Sequence, residues 1–219
     1  CLVVGDVTST MACAIVAKKM KIRVAHVEAG IRSNDLYMPE EINRIVTDSI
    51  SDYFFTTTEL ANQNLMRLGV KKRNIFFVGN TMIDTLLRFK ENFIKPKIWD
   101  EGKLRNKEFI ILTLHRPSNV DGNIFLSEII QEIVKYSCGV PIVFPVHPRT
   151  QKFIKQFKML HENLIMTPPL SYLEFNYLVN KSKAVITDSG GITEETTVLG
   201  IPCITLRTST ERPETIEIG

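Results

Sequence analysis

One stretch of the chain combines the residue types that bind a phosphate group. Residues 184–187 form a short apolar run rich in β-branched side chains, which predicts a buried strand. Residues 188–191, with the sequence Asp-Ser-Gly-Gly, come next, and a helical stretch then ends at Gly200. This order places backbone N–H groups at the positive end of a helix, where two glycines let an anion approach closely. The stretch predicts a phosphate site, and a tight capped strand-to-helix connection is the alternative.

Two carboxylates in the same helix, Glu194 and Glu195, indicate which phosphate compound binds. Negative side chains suit a helix N-terminus but repel a phosphate, so we expect at least one of them to point elsewhere. A ribose diol offers hydroxyl donors that a carboxylate accepts. A nucleotide is therefore the simplest ligand for this stretch.

Other polar residues also follow predicted strands. They are Asp6, Glu28, residues 115–116, residues 147–149 and residues 207–212. Ligands of open parallel α/β sheets bind at the carboxyl ends of the strands, so we expect these groups to line one cleft. Single residues have simpler explanations, since Asp6 is also a reasonable helix cap and His147 a reasonable hydrogen-bonded core histidine.

Three carboxylates, Glu28, Glu40 and Glu41, differ in how strongly they indicate a functional role. Glu28 ends an apolar strand and needs a polar partner there, which favours a functional role. Glu40 and Glu41 follow Pro39, and a proline with acidic residues in the first turn is a common helix start. Helix-start preference is therefore the simpler explanation of that pair.

Several kinds of catalytic chemistry are not indicated. The motif G-x-S-x-G does not occur, no cysteine in a basic turn has a histidine nearby, and the four histidines lack metal-ligand spacing. The dinucleotide motif G-x-G-x-x-G is missing, so we expect no nicotinamide, no other cofactor and no metal. Carboxylates, histidines and a nucleotide site remain, and these groups suit proton transfer and stabilisation of a diphosphate.

The composition is that of an ordinary globular protein. Its 219 residues are 44% hydrophobic and 23% charged, and 27 basic against 24 acidic residues give a net charge of +3. Without a basic run or an apolar stretch near the roughly 20 residues of a membrane span, neither nucleic acid nor a membrane is an expected partner. Four scattered cysteines predict buried thiols in a reducing, cytoplasmic compartment and no disulfide: Cys1, Cys13, Cys138 and Cys203.

The elements that must position these residues alternate between strand and helix. Strands are predicted at 1–4, 23–27, 53–56, 75–78, 109–114, 141–146, 184–187 and 203–206. Short connections between strands and helices predict an α/β fold with parallel sheets covered on both faces. Residues 88–107 indicate a linker between an N-terminal domain at 1–87 and a nucleotide-binding domain at 108–219. The chain opens inside a strand-like run, so we expect it to begin partway through a domain.

Eight short motifs follow one another along the chain. They are Gly-Asp-Val-Thr-Ser at 5–9, His-Val-Glu-Ala-Gly-Ile-Arg at 26–32, Pro-Glu-Glu-Ile-Asn-Arg at 39–44, Val-Gly-Asn-Thr at 78–81, Thr-Leu-His-Arg at 113–116, Pro-Val-His-Pro at 145–148, Asp-Ser-Gly-Gly-Ile-Thr-Glu-Glu at 188–195 and Thr-Glu-Arg-Pro-Glu at 210–214. Together they resemble the non-hydrolysing UDP-N-acetylglucosamine 2-epimerases, in family order and over the whole chain.

This resemblance implies two Rossmann-like domains that face each other across a cleft, as in GT-B glycosyltransferases, both incomplete in this chain. It implies inversion of C2 of UDP-GlcNAc to give UDP-ManNAc, a precursor step for cell-surface polysaccharide. In that reaction UDP is eliminated, 2-acetamidoglucal forms, and UDP adds back after protonation on the other face of C2. We expect a homodimer.

The resemblance also implies roles for single residues. Asp6, Glu28 and Glu40 are the carboxylates expected around the sugar, and His115 is expected to act as acid or base or to bind the diphosphate. Further residues are implied to bind substrate: Arg44, His147 on the nucleotide side, Ser189, Gly190 and Gly191 at the phosphate, Glu195 at the ribose, and Arg212 at the diphosphate.

Three alternatives stay open. A hydrolysing 2-epimerase would release ManNAc and UDP, although such enzymes tend to lack the motif at 39–44. A GT-B glycosyltransferase would share the nucleotide site but would have no need for Asp6 and Glu28. A UDP-sugar-binding module without activity would need neither those carboxylates nor His115.

Overall fold

The structure, a computed structural model, describes residues 1–116, 119, 123–146, 150–151, 161–207, 210 and 215. The chain divides into two compact units, one formed by Cys1–Asp84 and the other beginning at Thr85. Each unit is built on a parallel sheet with helices between its strands. The predicted α/β class is therefore confirmed.

The first unit contains a four-stranded sheet in the order β1-β2-β3-β4. Its strands are β1 (Leu2–Val4), β2 (Ala25–Val27), β3 (Tyr53–Thr56) and β4 (Ile75–Phe77), and its helices are α1 (Thr8–Lys19), α2 (Pro39–Ile50) and α3 (Glu59–Arg67), while α4 (Thr81–Phe89) begins in it. Val3 of β1 lies opposite His26 of β2, and His26 lies opposite Phe54 of β3. The carboxyl ends of β1 and β2 therefore lie side by side.

Local sequence signals account for the helix starts in this unit. Helix α2 begins at Pro39 and carries Glu40 and Glu41 in its first turn, as predicted. The hydroxyl oxygen of Thr58, at the N-cap of α3, accepts a hydrogen bond from the backbone N–H of Ala61 at 3.1 Å. These signals fix where the two helices begin relative to the strand ends.

The second unit contains a five-stranded sheet in the order β7-β6-β5-β8-β9. Its strands are β5 (Ile110–Thr113), β6 (Ile142–Pro145), β7 (Leu164–Thr167), β8 (Ala184–Thr187) and β9 (Cys203–Thr205), and its described helices are α5 (Ile98–Glu101), α6 (Asn123–Tyr136), α7 (Tyr172–Lys181) and α8 (Gly190–Leu199). Strand β5 pairs with β6 on one side and with β8 on the other. The carboxyl ends of β5 and β8 thus form a topological switch point, where open α/β sheets bind ligands.

Both faces of the second sheet are covered, as its apolar strands predict. Leu112 of β5 belongs to one buried cluster together with Leu126 of α6. Its neighbour Ile111 belongs to the other cluster, together with Leu178 of α7. Each such fully buried side chain contributes about 1.5–3 kcal/mol, so this sheet is a firm base for the groups at its edge.

Residues 90–107, predicted as part of a linker, pack against the second sheet. They include a 3-10 turn at Lys90–Asn92 and helix α5. The ring of Trp99 lies edge-on to Phe109 and Tyr177, with centroid distances of 5.9 and 5.4 Å. The predicted domain boundaries at 87 and 107 stay a prediction.

Strand β7 is missing from the predicted elements. Its four residues are Leu-Ile-Met-Thr, and two prolines, Pro168 and Pro169, follow at once. The strand lies at the edge of the sheet and is half-buried throughout, with Leu164 opposite Ile142 of β6. A run this short gives too weak a pattern to be distinguished from a loop.

The prediction that the cysteines are buried is wrong for most of them. Cys1, Cys13 and Cys138 are exposed, Cys203 is half-buried, and all four are unpaired. Cys13 lies on the exposed face of α1, and its neighbour Ala14 lies on the buried face. Which face of the helix a cysteine occupies therefore decides whether the cysteine is buried. Within the described ranges, none of the helices has the length and apolar character needed to cross a membrane.

Candidate active site

Asp6 lies in the turn after β1, and helix α2 holds it at two points. Nη1 of Arg44 lies 2.5 Å from Oδ2 of Asp6, and the side-chain amide of Asn43 donates to the backbone carbonyl of Asp6 at 2.8 Å. The side chain of Asp6 is 36% exposed. Its interpretation as a helix cap is wrong, because Val7 occupies the N-cap position of α1. Asp6 is therefore a held carboxylate that still reaches solvent.

Glu41, and not its neighbour Glu40, is the buried carboxylate of α2. The Glu41 side chain is 1% exposed, and its Oε2 accepts from Nε of Arg44 at 3.0 Å and from the backbone N–H of Ser33 at 2.9 Å. Arg44 thus contacts two carboxylates, Glu41 and Asp6. Glu40 is exposed in the first turn of the helix. The two adjacent glutamates therefore have different environments: Glu41 holds Arg44, and Glu40 faces outward.

Glu28 follows β2 in a strained backbone conformation. Its φ is +67°, in the left-handed region that costs a residue with a side chain about 1–2 kcal/mol. Hydrogen bonds on both sides maintain this conformation. The amide of Gly5 donates to the carbonyl of Val27 at 3.0 Å, and the amide of Ala29 donates to the carbonyl of Phe55 at 3.1 Å. Strained residues that are held in this way concentrate at functional sites.

Gly30 closes the turn that carries Glu28. Its φ is +79°, and a Cβ at this position would lie 2.4 Å from the backbone oxygen of Ala61 and 2.9 Å from Cγ of Leu65, both in α3. The turn therefore packs directly against α3, and it has little room to move.

In the second unit, His115 and Asp188 meet at the switch point between β5 and β8. Nδ1 of His115 lies 2.8 Å from Oδ1 of Asp188. The Asp188 side chain is fully buried, whereas that of His115 is 45% exposed. A carboxylate that lies beside Nδ1 of a histidine fixes the orientation of the imidazole ring. This geometry is that of an oriented acid or base.

Asp188 also holds the loop after β5. Its Oδ2 accepts from the backbone N–H of His115 at 3.0 Å, from that of Arg116 at 2.9 Å, and from the side-chain amide of Asn119 at 3.0 Å. Burial raises the pKa of Asp188, but the contacts with His115, Arg116 and Asn119 outweigh it, so the pKa lies below its ordinary value. Asp188 is therefore a carboxylate at neutral pH, and it faces the ring of His115.

The predicted phosphate site lies at the start of α8. The helix begins at Gly190, with Ser189 at its N-cap. The backbone N–H of Ser189 donates to the hydroxyl of Thr187 at 3.0 Å, which holds the turn against β8. Amides in the first turn of a helix, here those of Gly190 and Gly191, have no acceptor within the helix. The turn therefore has the donors and the positive helix end that an anion site requires.

Glu195 lies further along α8 and is 8% exposed. Its Oε1 accepts a hydrogen bond from the hydroxyl of Tyr172 in α7 at 2.9 Å. Burial raises the pKa of Glu195, and hydrogen bonds from Tyr172 and Asn176 offset this only in part, so the pKa lies above its ordinary value. Burial and the contact with Glu195 raise the pKa of Tyr172. The two oxygens of a carboxylate accept about four hydrogen bonds, so the contacts with Tyr172 and Asn176 do not use the whole acceptor capacity of Glu195.

Two of the predicted substrate-binding residues, His147 and Arg212, lie outside the described residues. Among the residues that are described, no group of three or more histidine, cysteine, aspartate or glutamate side chains could hold a metal ion. Each unit therefore has its own set of strand-end residues, and the two sets are described separately.

The contacts of two supporting residues, Glu41 and Tyr172, are not predicted from the sequence. Glu41 lies three residues before Arg44, and this spacing of opposite charges on one helix is a signal that could have identified the pair. Tyr172 lies 23 residues before Glu195, in a different helix, and no local pattern connects them.

Comparison with known proteins matches the chain to 2-epimerases of UDP-sugars. The family model described as UDP-N-acetylglucosamine 2-epimerase matches residues 1–219. The chain is 43% identical over 229 residues to the UDP-N-acetylglucosamine 2-epimerase of Methanocaldococcus jannaschii, a match that covers 100% of this chain and 62% of the relative. It is 39% identical over 221 residues to the UDP-2,3-diacetamido-2,3-dideoxy-D-glucuronate 2-epimerase of Pseudomonas aeruginosa, covering 100% of this chain and 61% of the relative.

The fold is also similar to that of a solved relative. The crystal structure of Methanocaldococcus jannaschii UDP-GlcNAc 2-epimerase in complex with UDP-GlcNAc and UDP matches with a TM-score of 0.85 and 43% identity, over 99% of this chain and 62% of that one. The chain thus spans 62% of the length of the Methanocaldococcus enzyme. Because the family model covers every residue of it, the chain belongs to the UDP-N-acetylglucosamine 2-epimerase family.

Proposed function

We propose that the protein containing this chain is an isomerase that interconverts UDP-GlcNAc and UDP-ManNAc. The observation that carries the proposal is the pair of carboxylates, Asp6 and Glu28, that follow two neighbouring parallel strands and are held there by fixed contacts. Two placed carboxylates suit removal and return of a proton at one carbon atom. Family membership and the likeness to an enzyme in complex with UDP-GlcNAc support the same substrate.

The proposed reaction takes place at C1 and C2 of the sugar. One carboxylate removes the proton from C2, the bond between C1 and the diphosphate oxygen breaks, and UDP and 2-acetamidoglucal form. A proton is then delivered to the opposite face of C2, and UDP adds back to C1. Glu40 is the third carboxylate proposed near the sugar, and Arg44 balances the charge of Asp6.

The second unit holds the nucleotide in this proposal. The hydroxyl of Ser189 and the amides of Gly190 and Gly191 bind the departing diphosphate, whose charge grows as the bond breaks. Glu195 binds the ribose. His115, oriented by Asp188, protonates or binds a diphosphate oxygen. His147 and Arg212 complete the proposed substrate site.

The non-hydrolysing form of the reaction is part of the proposal. Its support is the motif at 39–44, which forms the start of α2 and holds Asp6 through Asn43 and Arg44. After UDP has left, a proton must return to C2 before UDP adds back to C1. The carboxylate that returns this proton must therefore stay in place after the first proton has been removed. The proposed enzyme acts without a cofactor and as a homodimer.

Proton NMR in D2O tests the proposed function. Incubation with UDP-GlcNAc should give UDP-ManNAc, with deuterium entering C2. Accumulation of free ManNAc and UDP would identify the hydrolysing form, transfer of the sugar without C2 deuterium would identify a glycosyltransferase, and UDP binding without turnover would identify a binding module. The chain spans 62% of the Methanocaldococcus relative, so the assay uses the protein expressed from its complete gene.

Amide variants test the roles of the two carboxylates. Asp6→Asn and Glu28→Gln keep the side-chain size but cannot exchange a proton, and loss of acid–base help typically costs about 10²–10⁴-fold in rate. Binding of UDP should stay at the parental level, because its proposed site lies in the second unit. A variant with the parental rate would remove that carboxylate from the proposed mechanism.

A glycine variant tests the phosphate site. Gly190→Val should weaken UDP binding in calorimetry, because the new side chain blocks the approach of phosphate to the backbone. Thr197→Val is the matched control, since Thr197 is an exposed residue near the other end of α8. Equal UDP affinity of the two variants would contradict the assignment of the site.

A further inference from the structure

Asp48 is a buried carboxylate that the proposed mechanism leaves unused. It lies on α2, one turn after Arg44, and its side chain is 1% exposed. Its Oδ1 lies 2.7 Å from Nδ1 of His26. Its Oδ2 accepts from the backbone N–H of Gly30 at 3.0 Å and lies 2.7 Å from Nη2 of Arg32. A buried carboxylate is costly unless charges and hydrogen bonds compensate it, and here three groups do so.

His26, on β2, is fully buried between two oxygen acceptors. Its Nδ1 faces Asp48, and its Nε2 lies 2.9 Å from the backbone carbonyl oxygen of Gly5. Both ring nitrogens therefore lie within hydrogen-bond distance of an oxygen, one on a side chain and the other on the backbone. Asp48 and His26, called the buried pair below, therefore contact each other inside the first unit.

The buried pair is joined to the backbone around both carboxylates of the proposed reaction. Asp48 contacts the chain on both sides of Glu28. It contacts His26, two residues before Glu28, and Gly30, two residues after it. The second ring nitrogen of the pair holds Gly5, the residue directly before Asp6. The buried pair thus connects α2, the end of β1 and the end of β2.

We propose that Asp48 and His26 are positioning residues that set the placement of Asp6 relative to Glu28. This inference rests on the proposed function, in which those carboxylates exchange protons at C2. Proton transfer on opposite faces of one carbon needs two groups at a fixed separation. A misplacement of about 1 Å can cost about 10²-fold in rate, so the buried pair controls kcat without contacting the substrate.

Two variants of the complete gene product test this inference. Asp48→Asn removes the charge, and His26→Gln leaves a side chain that can donate on one side only. We expect kcat to fall about 10²-fold in both. The KM for UDP-GlcNAc and the Kd of UDP should stay near the parental values, because the proposed nucleotide site lies in the second unit.

Asp52→Asn is the matched control. Asp52 holds the other end of the same strand region: its Oδ2 accepts from the backbone N–H of Val24 at 2.8 Å, and its Oδ1 accepts from Nζ of Lys18 at 2.8 Å. The control removes a carboxylate that binds one amide and one cation, away from the carboxyl end of β2. It should lower the melting temperature and leave kcat unchanged.

The decisive readout is the ratio of deuterium entering C2 of the remaining UDP-GlcNAc to deuterium entering UDP-ManNAc. This ratio reports how protons are returned to the two faces, and it does not depend on the concentration of folded enzyme. A positioning role changes the ratio in Asp48→Asn and His26→Gln but not in Asp52→Asn. A merely structural role leaves the ratio at the parental value in all three and overturns the inference.

A measurement on the parental protein does not depend on any variant folding. Nitrogen-15 NMR of histidine-labelled protein should show a ring N–H of His26 that exchanges slowly with solvent because it is hydrogen-bonded inside the unit, and exchange as fast as that of an exposed histidine would overturn the inference. If Asp6→Asn and Glu28→Gln are inactive while the buried-pair variants keep the parental kcat and deuterium ratio, the positioning role is wrong and the proposed function stands. If the amide variants themselves keep the parental rate, the proposed carboxylate roles fail, and the positioning role fails with them.

Discussion

Nδ1 of the exposed His115 lies 2.8 Å from Oδ1 of the buried Asp188, a residue 73 positions further along the chain. The pair joins the ends of two paired strands, β5 and β8, and both strands carry buried residues of one core cluster. We expect Asp188→Asn to lower kcat by about 10²–10⁴-fold, the usual range for loss of acid–base help. Steady-state kinetics of the single and double variants checks this. In a His115→Gln background the same change should cost less, because the part of its effect that acts through the imidazole is already lost. Independent, multiplying losses would contradict the pairing.

The lowered pKa of Asp188 makes stability depend on pH. The carboxyl group has an ordinary pKa of 3.8 when unfolded and a lower pKa when folded. It therefore stabilises the fold above pH 3.8, and this contribution is lost as the pH falls through the folded pKa. Urea unfolding of the parental protein and Asp188→Asn, measured from neutral to strongly acidic pH, should show a stability difference that shrinks on acidification. A constant difference would show that the carboxylate charge is unimportant.

Glu40 and Glu41 are adjacent and chemically equal, but only Glu41 is buried. Removing one partner of a buried ion pair typically costs about 3–5 kcal/mol, whereas a surface change stays within about 0.5 kcal/mol. Because Asp6 remains beside Arg44, we expect Glu41→Ala to lower the free energy of unfolding by about 3 kcal/mol. Glu40→Ala, the control, should barely change it. Urea denaturation distinguishes the two, and equal losses would be inconsistent with the buried contact.

Gly30 and Gly69 both have left-handed backbones, with φ of +79° and +85°, but only Gly30 has close neighbours. Gly69→Ala should cost about 1–2 kcal/mol of folding free energy, the price of the left-handed conformation alone. Gly30→Ala should cost about 1–3 kcal/mol more, because its Cβ would meet the backbone of α3. Chemical denaturation of both variants gives the difference. If the two lose equal stability, the turn that carries Glu28 can move away from α3.

The hydroxyl of Tyr172 lowers the pKa of Glu195, against the effect of burial. Tyr172→Phe should therefore raise the pKa of Glu195 further, so that more of its carboxyl group is protonated in mildly acidic buffer. If Glu195 binds the ribose, the variant should bind UDP more weakly, and the deficit should grow as the pH falls below neutral. Calorimetry with UDP and 2′-deoxy-UDP measures this, with a smaller loss expected for the deoxy nucleotide. A loss that is equal for both nucleotides and at every pH would place Glu195 away from the ribose.

The positions of the candidate residues could be predicted where the signal is local. Asp6, Glu28 and Asp188 each come within two residues of the end of a short apolar strand, and strand ends are visible in the sequence. The start of α2 at Pro39 and the capping box of α7 at Ser171 and Glu174 are equally local. The α/β fold follows from the same patterns.

The partners of these residues could not be predicted, because they depend on tertiary packing. His26 contacts Asp48 across 22 residues, and Tyr172 contacts Glu195 across 23. Burial separates Glu41 from Glu40, and burial at one helix position depends on which face of α2 packs inward. Residue type and short-range spacing carry no information on the two long-range contacts, and only the spacing of Glu41 to Arg44 gives a local signal for the buried glutamate.

The pairing of β5 with β8 has a consequence for synthesis on the ribosome. The hydroxyls of Thr113 and Thr187, at the ends of these strands, lie 2.6 Å apart across 74 residues of chain. In the first unit, by contrast, each strand pairs with its immediate successor, so that sheet can assemble as it emerges. At roughly 5–20 residues per second, translation of the 74 intervening residues takes about 4–15 seconds. During that interval one apolar edge of β5 is not yet paired with β8. Any need for a chaperone on the nascent chain should therefore arise in the second half of the sequence.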